Sequence, residues 1–185
     1  MNPLRWLGFI FYLSACTFDS VPGTRYYYLP DSNFIPPVAQ PEEQVTVEVS
    51  LPSYLATSAM VIGDNDGSSF QLTTQNLWAT ELSSAIKNNL INHLNQLGAS
   101  KKQFFSPKGL DPRKLLVTLE KFQGDVNGRA RVIGYATLLN AKGTVIKSIA
   151  FREEARQEAD GYPGMLEALN KALRQLSQRL YVLFQ

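Results

Sequence analysis

Few residues of this chain could carry out covalent chemistry, and the most informative of them is its single cysteine, Cys16. A cysteine thiol is an intrinsically strong nucleophile once deprotonated, so Cys16 is a candidate for covalent modification. With one cysteine in 185 residues, the chain cannot form an intramolecular disulfide. The segment around Cys16 therefore decides what its thiol does.

The segment that ends at Cys16 has the pattern of a bacterial lipoprotein signal peptide. Residues 2–5 include one basic side chain, and residues 6–15 form an apolar run. This run fits the ~7–15 residues of a signal-peptide core and is shorter than the ~20 residues that cross a bilayer. It ends in Leu13-Ser14-Ala15-Cys16, which resembles the lipobox whose cysteine thiol receives a diacylglyceryl group. We predict that residues 1–15 are removed and that Cys16 carries this diacylglycerol and one N-acyl chain, such as palmitate, with no other cofactor.

The predicted lipid chains determine the predicted location of the protein. Each buried CH₂ contributes ~0.8 kcal/mol, and two chains already give stable anchoring to a membrane. The residue after the cysteine is Thr17 rather than the aspartate that retains such lipoproteins at the inner membrane. We therefore expect the protein in the inner leaflet of the outer membrane of a Gram-negative cell, facing the periplasm.

The remaining polar residues do not form a catalytic or metal-binding pattern. His93 is the only histidine, and it falls on the apolar side of a predicted helix, which favours a core position. The sequence Asp64-Asn65-Asp66-Gly67 has its glycine fourth rather than sixth, so it indicates a turn rather than an EF-hand calcium loop. Glu153 and Glu154 are adjacent, so on a strand they point to opposite faces. We predict no catalytic residue, no metal site and no enzymatic activity.

The composition indicates one globular domain that does not bind nucleic acid. A hydrophobic fraction of 44% is sufficient for one core. The net charge is only +2, and no run of Lys or Arg is longer than two residues. Neutralising nucleic-acid phosphates requires clustered basic side chains, and this chain has none in sequence.

The hydrophobic pattern divides the chain after the signal peptide into two parts. Residues 16–43 are predicted to be a proline-rich tether with a short tyrosine-rich strand at residues 25–29, and residues 44–185 to be the domain. The domain's expected elements are strands at 45–51, 59–63 and 69–73, a helix from an N-cap at Asn76 to Gly98, strands at 114–122, 129–139 and 145–152, and a helix that begins near Asp160. This order predicts an α+β fold in which a mostly antiparallel sheet has two long amphipathic helices on one face.

Four short motifs along the chain carry a family resemblance in addition to the lipobox. They are Tyr27-Tyr28-Leu29, residues 47–55 with Pro52 and Tyr54, Asn76-Leu77-Trp78-Ala79, and Gly161-Tyr162 before the last helix. In this order and spacing the chain resembles the PqiC family of ABC-type transport auxiliary lipoproteins. The candidate residues for partner contact or packing are therefore Tyr27, Tyr28, Pro52, Tyr54, Trp78 and Tyr162.

The resemblance implies a fold similar to the N-terminal domain of TolB and a non-enzymatic subunit of an MCE-type lipid transport system. Such a subunit docks the periplasm-bridging MCE-domain protein of a PqiAB-like system at the outer membrane and supports membrane integrity. The resemblance also implies a ring-like homo-oligomer. From the sequence, the strand at residues 45–51 or the hairpin at residues 114–139 is expected to provide the sheet edge that associates.

A second hypothesis belongs to a different class of function. The leucine-rich faces of the two helices could line a cavity, and the protein would then be a monomeric lipoprotein that binds and carries an apolar ligand itself. The same leucines could instead close an ordinary core, which the sequence favours.

We expect Cys16→Ala to leave a folded domain that no longer partitions with the outer membrane, because the sequence predicts no other anchor. The measurement is fractionation of cell envelopes after a high-salt wash. A Cys16→Ala protein that still sediments with the outer membrane would contradict acylation as the anchor.

Overall fold

The computed structural model of the protein describes residues 23–36, 43–99, 103–108 and 113–185. Cys16 and the predicted signal peptide lie outside the described residues. The eight strands are β1 Arg25–Tyr27, β2 Glu43–Ser50, β3 Ala59–Gly63, β4 Phe70–Trp78, β5 Gln103–Ser106, β6 Lys114–Asp125, β7 Arg129–Leu139 and β8 Val145–Arg156. The two long helices are α1 Leu82–Gly98 and α2 Gly161–Tyr181, and a short 3₁₀ turn follows at Val182–Phe184.

The long strand β6 is the centre of the sheet. Along one edge it pairs with β7 in antiparallel register from Lys114 to Gly124. Along its other edge, β2 and β3 pair with successive parts of β6, both in parallel register. The loop of residues 51–58 leaves the sheet between these two strands. As a result, β2 and β3 act as one interrupted strand beside β6.

The other strands extend the sheet outward from this centre. β5 lies beside β2, β4 beside β3, β1 beside β4, and β8 beside β7. The longest pairings, β6–β7 and β7–β8, are antiparallel, as predicted. The pairings of β1 with β4, β5 with β2, and β6 with both β2 and β3 are parallel. Parallel neighbours need a long crossover connection, and the chain between β2 and its parallel neighbour β5 includes β3, β4 and α1.

The edge strands are not the ones predicted from sequence. β2 lies between β5 and β6, and β6 and β7 each have a neighbour on both sides. The prediction that residues 45–51 or the hairpin at residues 114–139 form a free edge is therefore wrong. An alternating pattern shows that a strand is covered on one face, but it does not show which strands flank it. The long edge strand among the described residues is β8.

Both helices pack on one face of the sheet and against each other, as predicted. α2 contacts β7 and β8, and α1 contacts β5 and β2. The apolar stripe of α2 is completely buried at Leu169, Leu173, Leu176 and Leu180. Full burial of one such side chain contributes ~1.5–3 kcal/mol relative to exposure, so this stripe holds α2 on the sheet.

The N-cap of the first helix lies five residues later than predicted, at Glu81 rather than Asn76. Asn76 and Trp78 belong to β4, where β1 pairs with them in parallel, so the strand continues instead of turning into a helix. α1 begins at Leu82, after Glu81 at the N-cap position. The Glu81 carboxylate accepts hydrogen bonds from the hydroxyls of Ser83 and Ser84, at 2.6 and 2.8 Å, and these bonds lower the pKa of Glu81.

The predicted hairpin turn and second helix are present. Gly128 has φ +71, which explains the glycine after Asn127 between β6 and β7. Pro163 lies in the first turn of α2, where the missing N–H costs no helical hydrogen bond. Glu153 pairs with Arg179 on α2 at 2.6 Å, while Glu154 lies 3.6 Å from Arg131. The two glutamates thus occupy opposite faces of β8, as predicted.

We expect Trp78→Ala to lower the free energy of unfolding by ~3–5 kcal/mol, because Trp78 is only 5% exposed and its ring lies 6.0 Å from that of Phe122. Chemical denaturation measures this change. The matched control is Tyr26→Ala, whose side chain is 64% exposed and should change stability by less than ~0.5 kcal/mol. Equal effects of the two substitutions would show that Trp78 is not a core residue.

Candidate functional site

Acidic and histidine side chains within the described residues do not form a metal-binding cluster. No group of three or more His, Cys, Asp or Glu side chains within them could hold a metal ion. His93 is 4% exposed, as the core prediction requires, and its Nε2 lies 3.7 Å from a carboxylate oxygen of Asp31. Neither described helix is long and apolar enough to span a bilayer. The site that the structure does build is the attachment of the N-terminal segment to the domain.

The tyrosine-rich strand predicted within the tether is present as β1, and it joins the sheet. It pairs with Asn76, Leu77 and Trp78 at the end of β4. Tyr27 points into the domain, where its ring lies 5.5 Å from that of Tyr162 and its hydroxyl donates to Asn76 Oδ1 at 3.3 Å. Leu29 follows and is only 2% exposed. Three of the four family motifs therefore meet at β1.

A group of buried amide side chains then holds residues 30–35 on the helix pair. Asn89 Nδ2 donates to the carbonyl oxygen of Pro30 and to Asn170 Oδ1, both at 2.8 Å. Asn92 Nδ2 donates to the carbonyl oxygens of Asp31 and Asn33, at 2.8 and 2.7 Å. The backbone N–H of Ile35 donates to Asn92 Oδ1 at 3.0 Å. We call the hydrogen bonds of Asn89, Asn92 and Asn170 with residues 30–35 the asparagine clasp.

Asp31 contributes a charged end to the asparagine clasp. It is a non-glycine residue with φ +54, a conformation that aspartate tolerates better than most side chains. Its carboxylate accepts from Asn170 Nδ2 at 3.0 Å and lies 3.7 Å from Arg174 on α2. Because Asp31 and Arg174 are about half exposed, this ion pair contributes little, and the buried amides carry the attachment.

The second group of predicted residues meets at the loop of residues 51–58. The Tyr54 hydroxyl donates to the backbone oxygen of Glu120 at 2.5 Å, and its ring stacks on Phe70 at 4.5 Å. Burial raises the pKa of Tyr54, and the nearby Glu120 carboxylate raises it further. The Pro52 carbonyl accepts from Leu55 N–H at 3.0 Å, which closes the turn. These contacts fold the loop back onto β6.

Trp78 joins this loop to the start of α1. Its backbone N–H donates to the Ser58 carbonyl at 2.7 Å. A surface groove of about 490 Å³ lies between the loop of residues 51–58 and the start of α1. Its lining includes Leu51, Thr57, Trp78, Ala79 and Ser83. Trp78 is therefore a core residue at the end of β4 with one side at a groove, rather than a residue of the first helical turn.

The six candidate residues thus form two groups, and sequence reasoning missed the polar group that lies between the N-terminal segment and the helices. Tyr27 and Tyr162 are in contact, and Tyr28 lies beside them with its side chain exposed. Pro52, Tyr54 and Trp78 share the loop of residues 51–58. The signal for the asparagine clasp was available, because Asn89 and Asn92 occur among the apolar residues of α1.

Comparisons with known proteins agree with this architecture. The model of the family described as the ABC-type transport auxiliary lipoprotein component matches residues 27–180. The intermembrane transport lipoprotein PqiC of Escherichia coli K12 is 31% identical over 170 residues, which cover 89% of each chain, and PqiC of Shigella flexneri gives the same values.

Two crystal structures share the fold. An uncharacterized protein has a TM-score of 0.73 with 25% identity, covering 88% of this chain and 99% of its own. A Xanthomonas campestris protein has a TM-score of 0.68 with 17% identity, covering 85% of this chain and 93% of its own. The family match begins at Tyr27, the last residue of β1, and ends one residue before the end of α2, so it covers the asparagine clasp as well as the sheet from β2 to β8. By sequence and by fold, this chain belongs to the PqiC family of ABC-type transport auxiliary lipoproteins.

Proposed function

We propose that this protein is the outer-membrane lipoprotein subunit of an MCE-type lipid transport system, in which it docks a periplasm-bridging MCE-domain protein and supports membrane integrity. Its role in this proposal is positional rather than enzymatic. The similarity to proteins named intermembrane transport lipoproteins, over 89% of both chains, supports the assignment to transport between membranes.

The observation that carries this proposal is that residues 25–35, close to Cys16 in sequence, are part of the folded domain. β1 pairs with β4, and the asparagine clasp fixes residues 30–35. Only residues 17–22 separate Cys16 from the first described residue, Gly23. At no more than ~3.6 Å per residue, this connection spans at most about 25 Å. An acylated Cys16 would hold the docking domain close to the membrane and raise the effective concentration of a partner there.

The packing of the helices favours docking over the ligand-carrier alternative. A carrier would need the helical leucines to line an internal cavity. Instead, Leu169, Leu173 and Leu176 are 0% exposed and belong to the same core cluster as the sheet residues. The groove beside Trp78 lies at the surface, where a protein can reach it.

For the ring-like homo-oligomer, the sheet now suggests which edge associates. The outer edge of β5 is capped, because the side-chain amide of Asn95 bonds both the N–H and the carbonyl oxygen of Phe105, at 2.7 and 3.0 Å. No described strand covers the outer edge of β8, and the first two residues of β8, Val145 and Ile146, are 58% and 47% exposed. We therefore propose β8 as one side of a contact that repeats around a closed ring.

The register of β8 identifies which of its backbone groups point outward. Gln157 N–H donates to the Gly128 carbonyl, so residues 128 and 157 form a hydrogen-bonded pair. Hydrogen-bonded and non-bonded pairs alternate along antiparallel strands, which makes Tyr135 and Ala150 a non-bonded pair. The N–H of Ala150 therefore points away from β7, toward the open edge.

Affinity purification of the full-length lipoprotein from envelopes tests the proposed function. We expect the wild-type protein to elute as a defined oligomer together with an MCE-domain protein. Ala150→Pro removes an outward N–H without breaking a bond to β7, so it should yield monomers and lose most of the MCE-domain protein. Ala150→Val keeps the N–H at the same exposed position and should behave as wild type.

Three results of this purification would count against the proposal. Absence of an MCE-domain protein from the wild-type eluate would contradict the docking role. A wild-type monomer that elutes with a stoichiometric apolar ligand would favour the carrier. An Ala150→Pro oligomer of unchanged size, with an unchanged melting temperature, would exclude the β8 edge.

A further inference from the structure

Exposed apolar side chains are concentrated in the segment that follows the predicted anchor. Tyr26 and Tyr28 are 64% and 67% exposed, and Phe34 and Ile35 are also exposed. Monomeric surfaces carry scattered apolar residues without special meaning, but a concentration in one segment indicates a contact. This segment belongs to the fold through β1 and the asparagine clasp, so its exposure reflects the folded state.

The two tyrosines are presented on a fixed backbone. Tyr26 lies in β1 and Tyr28 directly follows it. Both side chains are exposed, while that of Tyr27 between them packs against Tyr162. The carbonyl of Tyr27 accepts from Ala79 N–H at 2.8 Å, and Leu29 is buried immediately afterwards. Because this backbone is already ordered, binding of Tyr26 and Tyr28 to a surface costs little additional backbone conformational entropy.

The connection to Cys16 places these tyrosines near lipid. If Cys16 is acylated, as the proposed function requires, residues 17–22 hold Gly23 within about 25 Å of the acylated residue. β1 begins two residues after Gly23. Tyrosine is enriched where membrane meets water, because its ring suits the acyl boundary and its hydroxyl suits the headgroups. We propose that Tyr26 and Tyr28 rest in the headgroup region of the membrane that anchors Cys16.

The charges around Tyr28 indicate which lipids this contact takes. Tyr28 borders a groove of about 610 Å³ against α2 and the end of β8, lined by both basic and acidic side chains. Lys171 pairs with Glu158 at 3.0 Å, and Arg174 lies 3.7 Å from Asp31. The local charge is thus largely balanced, and the contact does not require anionic lipid. Zwitterionic phospholipid should be sufficient, with little dependence on salt.

The contact gives the domain a defined orientation. A lipid anchor alone leaves a domain free to tumble at the end of its connection. A second attachment through Tyr26 and Tyr28 turns the β1 side toward the membrane. The opposite side of the domain is then available to the transport partner.

A tryptophan reporter in mature, acylated protein on phosphatidylcholine vesicles tests this proposal. The mature sequence contains one tryptophan, Trp78, which is buried and gives a constant background. Tyr28→Trp places a reporter directly after β1. Tyr135→Trp places the matched control on β7, where the native side chain is 47% exposed. Vesicles of lipid brominated near the headgroup quench tryptophans that reach the interface.

We expect brominated vesicles to reduce the Tyr28→Trp emission about twofold after subtraction of the Trp78 background, and to leave Tyr135→Trp unchanged. Equal emission of Tyr28→Trp in brominated and unbrominated vesicles would overturn the proposal. Protection of Tyr28→Trp from aqueous iodide without lipid, increasing with protein concentration, would assign this surface to a second copy and overturn it as well.

A second arm separates this proposal from the acylation of Cys16. A chain of residues 17–185, which retains every described residue, is attached by an N-terminal histidine tag to vesicles that contain a small fraction of nickel-chelating lipid. Quenching of Tyr28→Trp in this arm supports the tyrosine contact even if the native protein fails to sediment with vesicles. Failure to sediment would count only against the lipid anchor.

Discussion

The structure depends on a mutual requirement between the N-terminal segment and the helix pair. Asn89, Asn92 and Asn170 are buried amides on α1 and α2, and the backbone of residues 30–35 supplies most of their hydrogen-bond partners. A buried polar group that loses its partner costs ~1–3 kcal/mol. The helices therefore need the segment to satisfy their amides, and the segment needs the helices to satisfy its backbone.

This requirement relates the fold to membrane attachment. The central strand β6 organises the sheet, and α1 and α2 cover one face of it. The asparagine clasp and the pairing of β1 then extend the folded domain back to Arg25, nine residues after Cys16. An acyl chain at Cys16 would therefore be joined to a strand of the sheet through a short connection rather than through a long linker. In the proposed transport role, this arrangement limits the distance between the membrane and the docking domain, as expected of a subunit that positions its partner.

Features that depend on local sequence pattern were predicted correctly from the sequence. Features that depend on pairing between distant strands were not. The leucine stripe of α2, the Gly128 turn and the burial of His93 follow from spacing and residue type, and the structure confirms them. The start of α1 was predicted wrongly because β1 extends β4 through Trp78, a contact over about fifty residues. The free edge was also predicted wrongly, since neighbours of a strand are not encoded in its alternation. The asparagine clasp was missed because asparagines among the apolar residues of α1 indicate buried amides but do not show which distant backbone groups they bond.

Amide hydrogen exchange across residues 29–36 tests the central claim most directly, because the Ile35 N–H donates to Asn92 Oδ1 at 3.0 Å. The account predicts that wild-type Ile35 exchanges at least about a hundredfold more slowly than an unstructured amide. It also predicts that Asn92→Ala removes this protection while the amides of α2 keep theirs. Exchange of wild-type Ile35 at the unstructured rate, with α1 and α2 fully protected, would contradict an N-terminal segment that is part of the folded domain.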